Sequence, residues 1–446
     1  MSIQPQQRIA VLGAVRSGFA AARLAAKEGA AVTLFDEAPP EKMAAAVDRA
    51  RAESFDCIVG DEAKNAVVKP GDYDLAILSP GLDIHWPLPA KFSAVGTPMT
   101  GEMEFGFNRC TTPIVAITGT NGKSTTTEII AEIFNRCGKR SLPCGNHGKA
   151  LCEVLVGTEE YDVLSLEVSS FQLETIENFR PQVSIWLNFA PDHLDRYPDE
   201  SAYFEAKKRI FMNQTADDLA IIHAREVRRF EAIRPKVVTF SAQVGDSADY
   251  TFSNGAFFFR GQCLGDVSSI RLRGRHNMEN VMAALAAGAA FGLNHSAMLS
   301  AVAAYEPPRH RCEWVRTWND REFINDSKAT NLHALESCVR SLDRPLVLIV
   351  GGKEKGLDYS PMKQVIEGRV RAMVLIGEIA SALQAQFGEM IPCKRAGNMA
   401  DAVGEAAKMA QAGDAVVLSP GTSSFDMYSG YAERGEHFRN AVLSLS

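Results

Sequence analysis

A lysine and two hydroxyls that directly follow closely spaced glycines form the densest chemical signal in the sequence, Thr118-Gly119-Thr120-Asn121-Gly122-Lys123-Ser124-Thr125. Where such glycines lead from a strand into a helix, several backbone N–H groups and the positive end of the helix dipole point at one spot and cradle an anion. The apolar run Ile114 to Thr118 ahead and the helical residues Thr126 to Cys137 behind supply that setting. Lys123 would add a point charge at the outer phosphates of a nucleotide, and the hydroxyl of Ser124 or Thr125 would ligate its magnesium, so ATP or GTP is the expected ligand. The loop is a variant, because the common G-x-x-x-x-G-K-[ST] spacing needs glycine where Ile117 stands. A helix-capping turn that merely contains a lysine is the competing reading, and the flanking strand and helix argue against it.

Three further positions could complete a phosphate-and-metal site. Glu167 follows the apolar run Val163 to Leu166, and a carboxylate at the end of a parallel strand faces the crevice where ligands bind in open α/β sheets. Standing alone it would read as a solvated strand-end glutamate. Asp192, His193 and Asp195 crowd the short stretch Pro191 to Tyr197, a density of ionisable groups that suits a functional loop as well as a solvated one. Lys207 and Lys208 sit side by side in the helical stretch Ser201 to Met212. Either alone would read as a surface lysine, and the pattern does not choose between them.

These residues need rigid elements behind them, and 446 residues with 46% apolar content suffice for about three domains, each with its own core. Arg8 to Leu12 reads as a buried strand, Gly13 to Gly18 as a tight turn, Phe19 to Lys27 as a helix and Ala31 to Phe35 as a second strand. Apolar runs at Leu75 to Leu78 and around Val95 continue this parallel sheet to about Gly101. A second α/β unit begins at Ile114, with strands at Val163 to Leu166 and Val183 to Leu187, an antiparallel patch over Tyr250 to Leu264 and a small-residue helix after Asn277. Pro307-Pro308 is the expected hinge. The last unit, with buried strands at Leu346 to Val350, Met373 to Ile376 and Ala415 to Leu418, reads as another mostly parallel sheet. The expected boundaries are therefore 1–101, 102–307 and 308–446.

Gly13 and Gly18 keep the outer glycines of a dinucleotide-binding turn, but Val15 replaces the middle one and would hinder approach to a pyrophosphate. With Asp36 at the end of the second strand, an NAD-dependent oxidoreductase or a nucleotide-sensing module remains the alternative to a nucleotide-driven enzyme. A net charge of -7 argues against a broad grip on nucleic acid or an anionic membrane. Nine cysteines without a C-x-x-C pair suggest neither a zinc cage nor a disulfide framework, and reduced thiols fit a cytoplasmic protein. The first residues, Met1 to Arg8, lack a secretory pattern, and the longest uncharged, mostly apolar stretch, Val281 to Leu293, is too short to span a bilayer.

Five ordered blocks resemble the Mur ligases of peptidoglycan synthesis: Thr118 to Thr125, Leu166 to Glu174 (L-E-V-S-S-F-Q-L-E), Asp192 to Tyr197 (D-H-L-D-R-Y), Gly274 to Asn277 (G-R-H-N) and Ile324 to Asn331 (I-N-D-S-K-A-T-N). The resemblance spans nearly the whole chain and is strongest to the branch that adds D-glutamate to UDP-N-acetylmuramoyl-L-alanine. No D-N-P-R block, expected in the diaminopimelate- or lysine-adding branches, is present. The resemblance implies a Rossmann-like uridine-nucleotide-binding domain, a central P-loop ATPase-like domain and a Rossmann-like C-terminal domain that closes over ATP, in a monomer. It also implies phosphorylation of the substrate carboxylate by ATP, then attack on the acyl phosphate by the amine of D-glutamate.

By matching positions, Lys123 and Ser124 would hold the ATP phosphates and one magnesium, with Glu167 as a further ligand, and His193 would bind a second magnesium. Lys207 matches a lysine that is carbamylated in the family, and carbamylation needs a neutral amine, so Lys207 should be desolvated or near positive charge. Asn277, Arg311, Asp326, Lys328 and Thr330 match nucleotide contacts, with His310 beside them. Lys355, Ser424 and Tyr431 match D-glutamate contacts, with Tyr431 replacing an expected phenylalanine. Asn146 and His193 match residues near the substrate diphosphate and carboxylate, and Ser79-Pro80-Gly81 matches a diphosphate turn. Asp36 matches a residue near the uracil ring, although Glu37 and Ala38 depart from the Thr-Arg expected after it.

Overall fold

The computed structural model of the chain describes residues 6–190, 192–193, 196–230, 232–266, 270, 272, 274–306, 309–342 and 344–445. The expected hinge Pro307-Pro308 lies outside the described residues, as do Pro191, Leu194 and Asp195 of the acidic loop.

Among the described residues the strands form three sheets. The first contains β1 (Arg8–Leu12), β2 (Ala31–Asp36), β3 (Asp56–Val59), β4 (Leu75–Leu78) and β5 (Met99–Gly101), all parallel, in the order β3-β2-β1-β4-β5. The apolar residues of β1 are all buried, as a strand covered by helices on both faces requires. The order reverses between β1 and β4, so the turns that leave their carboxyl ends, Gly13–Val15 and Ser79–Gly81, flank the crevice of a topological switch point; the helix expected from Phe19 begins already at Arg16 and takes Gly18 into its first turn. Here chain meets chain closely. A Cβ on Gly18 would lie 1.7 Å from the Gly13 carbonyl oxygen, which also accepts from Ser79 Oγ at 3.1 Å. Val95 belongs to no strand: it caps the helix Pro87–Ala94, whose buried Leu88 and Phe92 lie four residues apart on one face, and the edge strand starts only at Met99. A short apolar run between prolines suits strand and helix alike, and here its burial has the helical period.

The second sheet holds β6 (Ile114–Thr118), β7 (Ser141–Gly145), β8 (Val163–Glu167), β9 (Val183–Trp186), β10 (Leu219–His223), β11 (Lys236–Ser241), β12 (Tyr250–Ser253), β13 (Ala256–Phe259) and β14 (Gln262–Asp266), ordered β14-β13-β12-β11-β10-β9-β6-β8-β7. It is parallel except for the β12-β13-β14 meander. Behind β9, the fully buried Trp186 packs against Phe189, Phe204, Phe211 and Phe230. The third sheet holds β15 (Glu313–Trp318), β16 (Arg321–Asn325), β17 (Leu346–Gly351), β18 (Val370–Ile376), β19 (Cys393–Arg395) and β20 (Ala415–Leu418), ordered β15-β16-β20-β17-β18-β19, with only the β15-β16 pair antiparallel.

The chain divides into two compact units, Met1–Ile270 with Asn277–Tyr305, and Arg271–His276 with Glu306–Ser446. The first two sheets thus share a unit, and the helix Glu102–Phe107 joins them. Its Glu104 carboxylate, 1% exposed, accepts from the backbone N–H groups of Asn178 and Phe179 at 2.7 and 3.0 Å, and Glu102, equally buried, accepts from that of Cys152 at 2.8 Å. Burial raises the Glu102 carboxyl above its ordinary range. Arg109 forks onto Glu28 at 2.8 and 2.9 Å and tightens the same junction. Among the described residues, no helix is long and apolar enough to cross a membrane.

The close approach at Gly18 gives a stability prediction. Gly18→Ala should destabilise the first unit by about 3 kcal/mol, as overpacking against backbone does. Gly404→Ala, in the helix Met399–Met409 where a Cβ meets nothing within 4 Å, should stabilise by about 0.5–1 kcal/mol. Urea unfolding of both variants checks the contrast.

Candidate active site

The strand β6 is buried throughout and ends at Thr118, whose hydroxyl donates to the Val168 carbonyl at 3.0 Å. The chain then turns through Gly119 (φ +143°) and Gly122 (φ +84°), backbone regions that side chains rarely adopt, into the helix Lys123–Arg136. A Cβ on Gly119 would meet Leu187 and Asn188 at 3.0–3.3 Å, and one on Gly122 would lie 2.4 Å from Asn280 Oδ1. The loop is threaded between the end of β9 and the helix Arg275–Ala290. Asn188 templates it: Oδ1 accepts from Asn121 N–H at 2.8 Å, Nδ2 donates to Asn121 O at 3.1 Å, and the Asn188 carbonyl accepts from Thr120 N–H at 3.2 Å. Thr120 Oγ1 both donates to and accepts from the Ala190 backbone. Ser124 and Thr125, half-buried, lie in the first helical turn. Asn277 Oδ1 accepts from Asn280 Nδ2 at 3.2 Å, which ties that residue to the same wall of the loop.

Lys123 Nζ donates to the carbonyls of Gly119 and Thr120 at 3.0 and 2.9 Å, and Lys207 Nζ donates to the same Gly119 oxygen at 3.0 Å. Lys207 is 2% exposed, on the helix Glu200–Lys208, with its nitrogen 4.7 Å from the Tyr203 ring centre. Burial first, and the Lys123 charge second, hold its pKa well below that of an ordinary lysine against the opposing pull of Asp192 and Glu167. Lys208 instead faces outward and pairs with Glu205 at 3.1 Å, so the fold separates the two lysines that the pattern left equal. Glu167, the last residue of β8 and aligned with Ile117 of β6, is 3% exposed. Its Oε1 accepts from Asn146 Nδ2 at 2.8 Å, while Oε2 is buried without a hydrogen-bond partner. An orphaned carboxylate oxygen at a phosphate cradle suits a hard cation, so the donor set fits magnesium.

His193 adopts a left-handed backbone (φ +55°), with its ring 4.9 Å from Phe171 and 5.8 Å from Tyr203 and Nε2 3.6 Å from Asp192. Arg196 lies 4.1 Å over Phe171 and donates to Glu174 at 2.6 Å and to the Leu82 carbonyl at 3.4 Å, which pins this loop to the first sheet. A cleft there is lined by Ser79, Pro80, Leu82, Gly101, Phe171 and Gln172. Gly81 is exposed beside it, with open space where a side chain would be. Asp36 accepts from the backbone N–H groups of Ala14 and Ala38, both at 2.9 Å, and so braces the glycine turn.

In the second unit, Asp326 is buried at the end of β16, accepts from Ser419 Oγ at 2.9 Å and from Cys312 N–H at 3.2 Å, and has its pKa raised by burial to about 6. Ser327 Oγ donates to the Tyr431 carbonyl at 2.8 Å, and Lys328 Nζ lies 5.8 Å from the Tyr431 ring centre. Arg434, which no sequence motif flagged, is 1% exposed and donates to Ser327 and to the Thr422 carbonyl; burial pulls its pKa down to about 10. It joins the Asp326–Asn331 segment to the Ser419–Gly430 loop, where Ser424 is buried and its carbonyl accepts from Tyr428 N–H at 2.9 Å. Arg311 and Thr330 are half-buried nearby in sequence. Lys355 is exposed on the segment after β17, where its backbone N–H donates to Glu354 Oε1 at 2.7 Å.

Residues 117–288 match the model of the Mur ligase middle domain, and residues 310–421 match that of the Mur ligase, glutamate ligase domain. The chain is 39% identical to the UDP-N-acetylmuramoylalanine–D-glutamate ligase of Salinibacter ruber over 98% of each chain. It is 37% identical to the enzyme of the same name from Desulfosudis oleivorans, over 98% of this chain and 96% of the relative. In fold it is similar to UDP-N-acetylmuramate-alanine ligase MurC from Thermotoga maritima, with a TM-score of 0.57 at 16% identity over 98% of this chain and 100% of the other. Sequence over the full length and the three-sheet α/β architecture agree: the chain belongs to the Mur ligase family.

Proposed function

We propose that this protein is an ATP-dependent amide-forming ligase that joins D-glutamate to UDP-N-acetylmuramoyl-L-alanine in peptidoglycan precursor synthesis. The observation that carries the chemistry is the convergence of Lys123 and Lys207 on the Gly119 carbonyl, beside the buried carboxylate of Glu167. The choice of D-glutamate rests on relatives that bear that name over their whole length. The proposed division assigns residues 1–101 to the uridine nucleotide, 102–307 to ATP, and 308–446 to the amino acid and to further nucleotide contacts. The setting is the cytoplasm.

A carboxylate is a poor acyl donor in water. In the proposed reaction, an oxygen of the L-alanyl carboxylate attacks the terminal phosphorus of ATP and ADP departs. The D-glutamate amine then attacks the acyl phosphate carbon, losing a proton as inorganic phosphate leaves. Catalysis is chiefly positioning and neutralisation of charge. With the Thr120 and Asn121 N–H groups held by Asn188, the first turn of the helix Lys123–Arg136 and the Lys123 ammonium would receive the phosphates. Ser124 and Glu167 would hold one magnesium ion, and His193 with a carbamylated Lys207 a second; the ions supply charge neutralisation at the phosphoryl and carboxylate oxygens. The lowered pKa of Lys207, caused first by burial, raises the share of neutral amine that can add carbon dioxide above that of an ordinary lysine. Asn146 and the Ser79–Gly81 turn would meet the sugar diphosphate. Arg311, Asp326, Lys328 and Thr330 are proposed contacts to ATP, as is Asn277 beside the loop. Lys355, Ser424 and Tyr431 are proposed contacts to the D-glutamate carboxylates.

Phosphate release by the purified protein should require ATP, magnesium, UDP-N-acetylmuramoyl-L-alanine and D-glutamate together, with L-glutamate, L-lysine and diaminopimelate inactive. Release with another amino acid in place of D-glutamate would overturn the substrate assignment. Lys123→Ala should lower kcat on the order of 100-fold or more while the fold persists. Intact-protein mass spectrometry at neutral pH should find one carbon dioxide adduct that Lys207→Ala abolishes and Lys208→Ala keeps. Activity should fall after exhaustive removal of carbon dioxide and return with bicarbonate; full activity in its absence would sink the carbamate.

A further inference from the structure

Asp326 has neighbours that the reaction leaves unused. Cys312 Sγ and Cys338 Sγ lie 3.8 Å apart, although 26 positions separate them in sequence. One carboxylate oxygen of Asp326 completes a triangle with the two sulfurs in which every separation is within 4.8 Å. Cys338 is buried on the helix Leu332–Ser341, and Cys312 is half-buried just ahead of β15. The Cys312 backbone is left-handed, with φ +44°, a conformation that a non-glycine residue seldom adopts. That turn brings both the N–H and the thiol of Cys312 to the Asp326 side of the helix.

We propose that Cys312, Cys338 and Asp326 form a binding site for one thiophilic divalent metal ion of the zinc class. Two thiolates each about 2.3 Å from a tetrahedral zinc stand about 3.8 Å apart, which is the separation found here. A disulfide would need the sulfurs to close to about 2.05 Å, a movement that metal binding does not require. Two sulfurs and one carboxylate oxygen select zinc, cobalt or cadmium over magnesium and calcium, which take oxygen shells. The ion enters past the half-buried Cys312, displaces the two thiol protons to solvent and keeps a water in its fourth position. Sequence spacing hides the site, because its ligands come from a turn, a strand end and a helix rather than from a C-x-x-C pair.

Coordination would occupy one oxygen of the Asp326 carboxylate, so the ion and a nucleotide contact at Asp326 would compete for the same side chain. This consequence alone rests on the proposed ATP reading. The site itself is tested without nucleotide, by titrating cobalt(II) into the reduced full chain and recording the thiolate-to-cobalt charge-transfer and tetrahedral ligand-field bands. Saturation at one equivalent, displacement by zinc, loss of the bands in Cys312→Ser and in Cys338→Ala, and their retention in Cys263→Ser, which alters an exposed thiol, are expected. Circular dichroism of each variant separates lost binding from lost folding, and Cys312→Ser, at the less buried position, decides if Cys338→Ala unfolds. Absence of the bands in the wild type, their persistence without Cys312, or a Cys312–Cys338 disulfide formed in place of metal uptake would overturn the proposal. Failure here would leave the proposed ligase reaction standing.

Discussion

Two lysine side chains donate to one carbonyl oxygen, that of Gly119, and the first unit is arranged around keeping them there. Two ammonium groups this close repel, and burial adds a solvation penalty to whichever lies deeper. The conflict is relieved at Lys207, which gives up its proton more readily than an ordinary lysine. Burial behind Tyr203 and the positive neighbour act in the same direction there, and the carboxylates of Asp192 and Glu167 do not reverse it.

The aromatic core behind β9 gives this arrangement its stiffness. Trp186 is enclosed by phenylalanines from three later segments, and the same strand end delivers Asn188 to the loop. A side-chain amide that satisfies both backbone groups of Asn121 replaces the water that an isolated glycine loop would need. The loop backbone is thus held in one arrangement, which is the condition under which fixed dipoles contribute most.

Much of this was legible in the chain because the relevant residues are contiguous. The strand, the glycines, Lys123 and Ser124 form one segment, and Glu167 directly ends an apolar run, so period and position sufficed. Lys207 was separable from Lys208 only through the rotation between adjacent helical residues, which turns one inward and the other to Glu205. Asn188, Asn280 and Arg434 carry no local signature at all, since each acts through a partner distant in sequence. Val95 was misplaced because a short apolar run between prolines fits strand and helix alike until its burial is known.

The buried carboxylates of Glu102 and Glu104 fix more than a helix. They lock the connection between the first two sheets to Cys152, Asn178 and Phe179, and Arg196 adds a second strut to Leu82. The span between the Ser79–Gly81 turn and the Gly119–Lys123 loop is therefore set by the scaffold. A molecule that must touch both is gauged by its length, as against a ruler, before any of its functional groups is read.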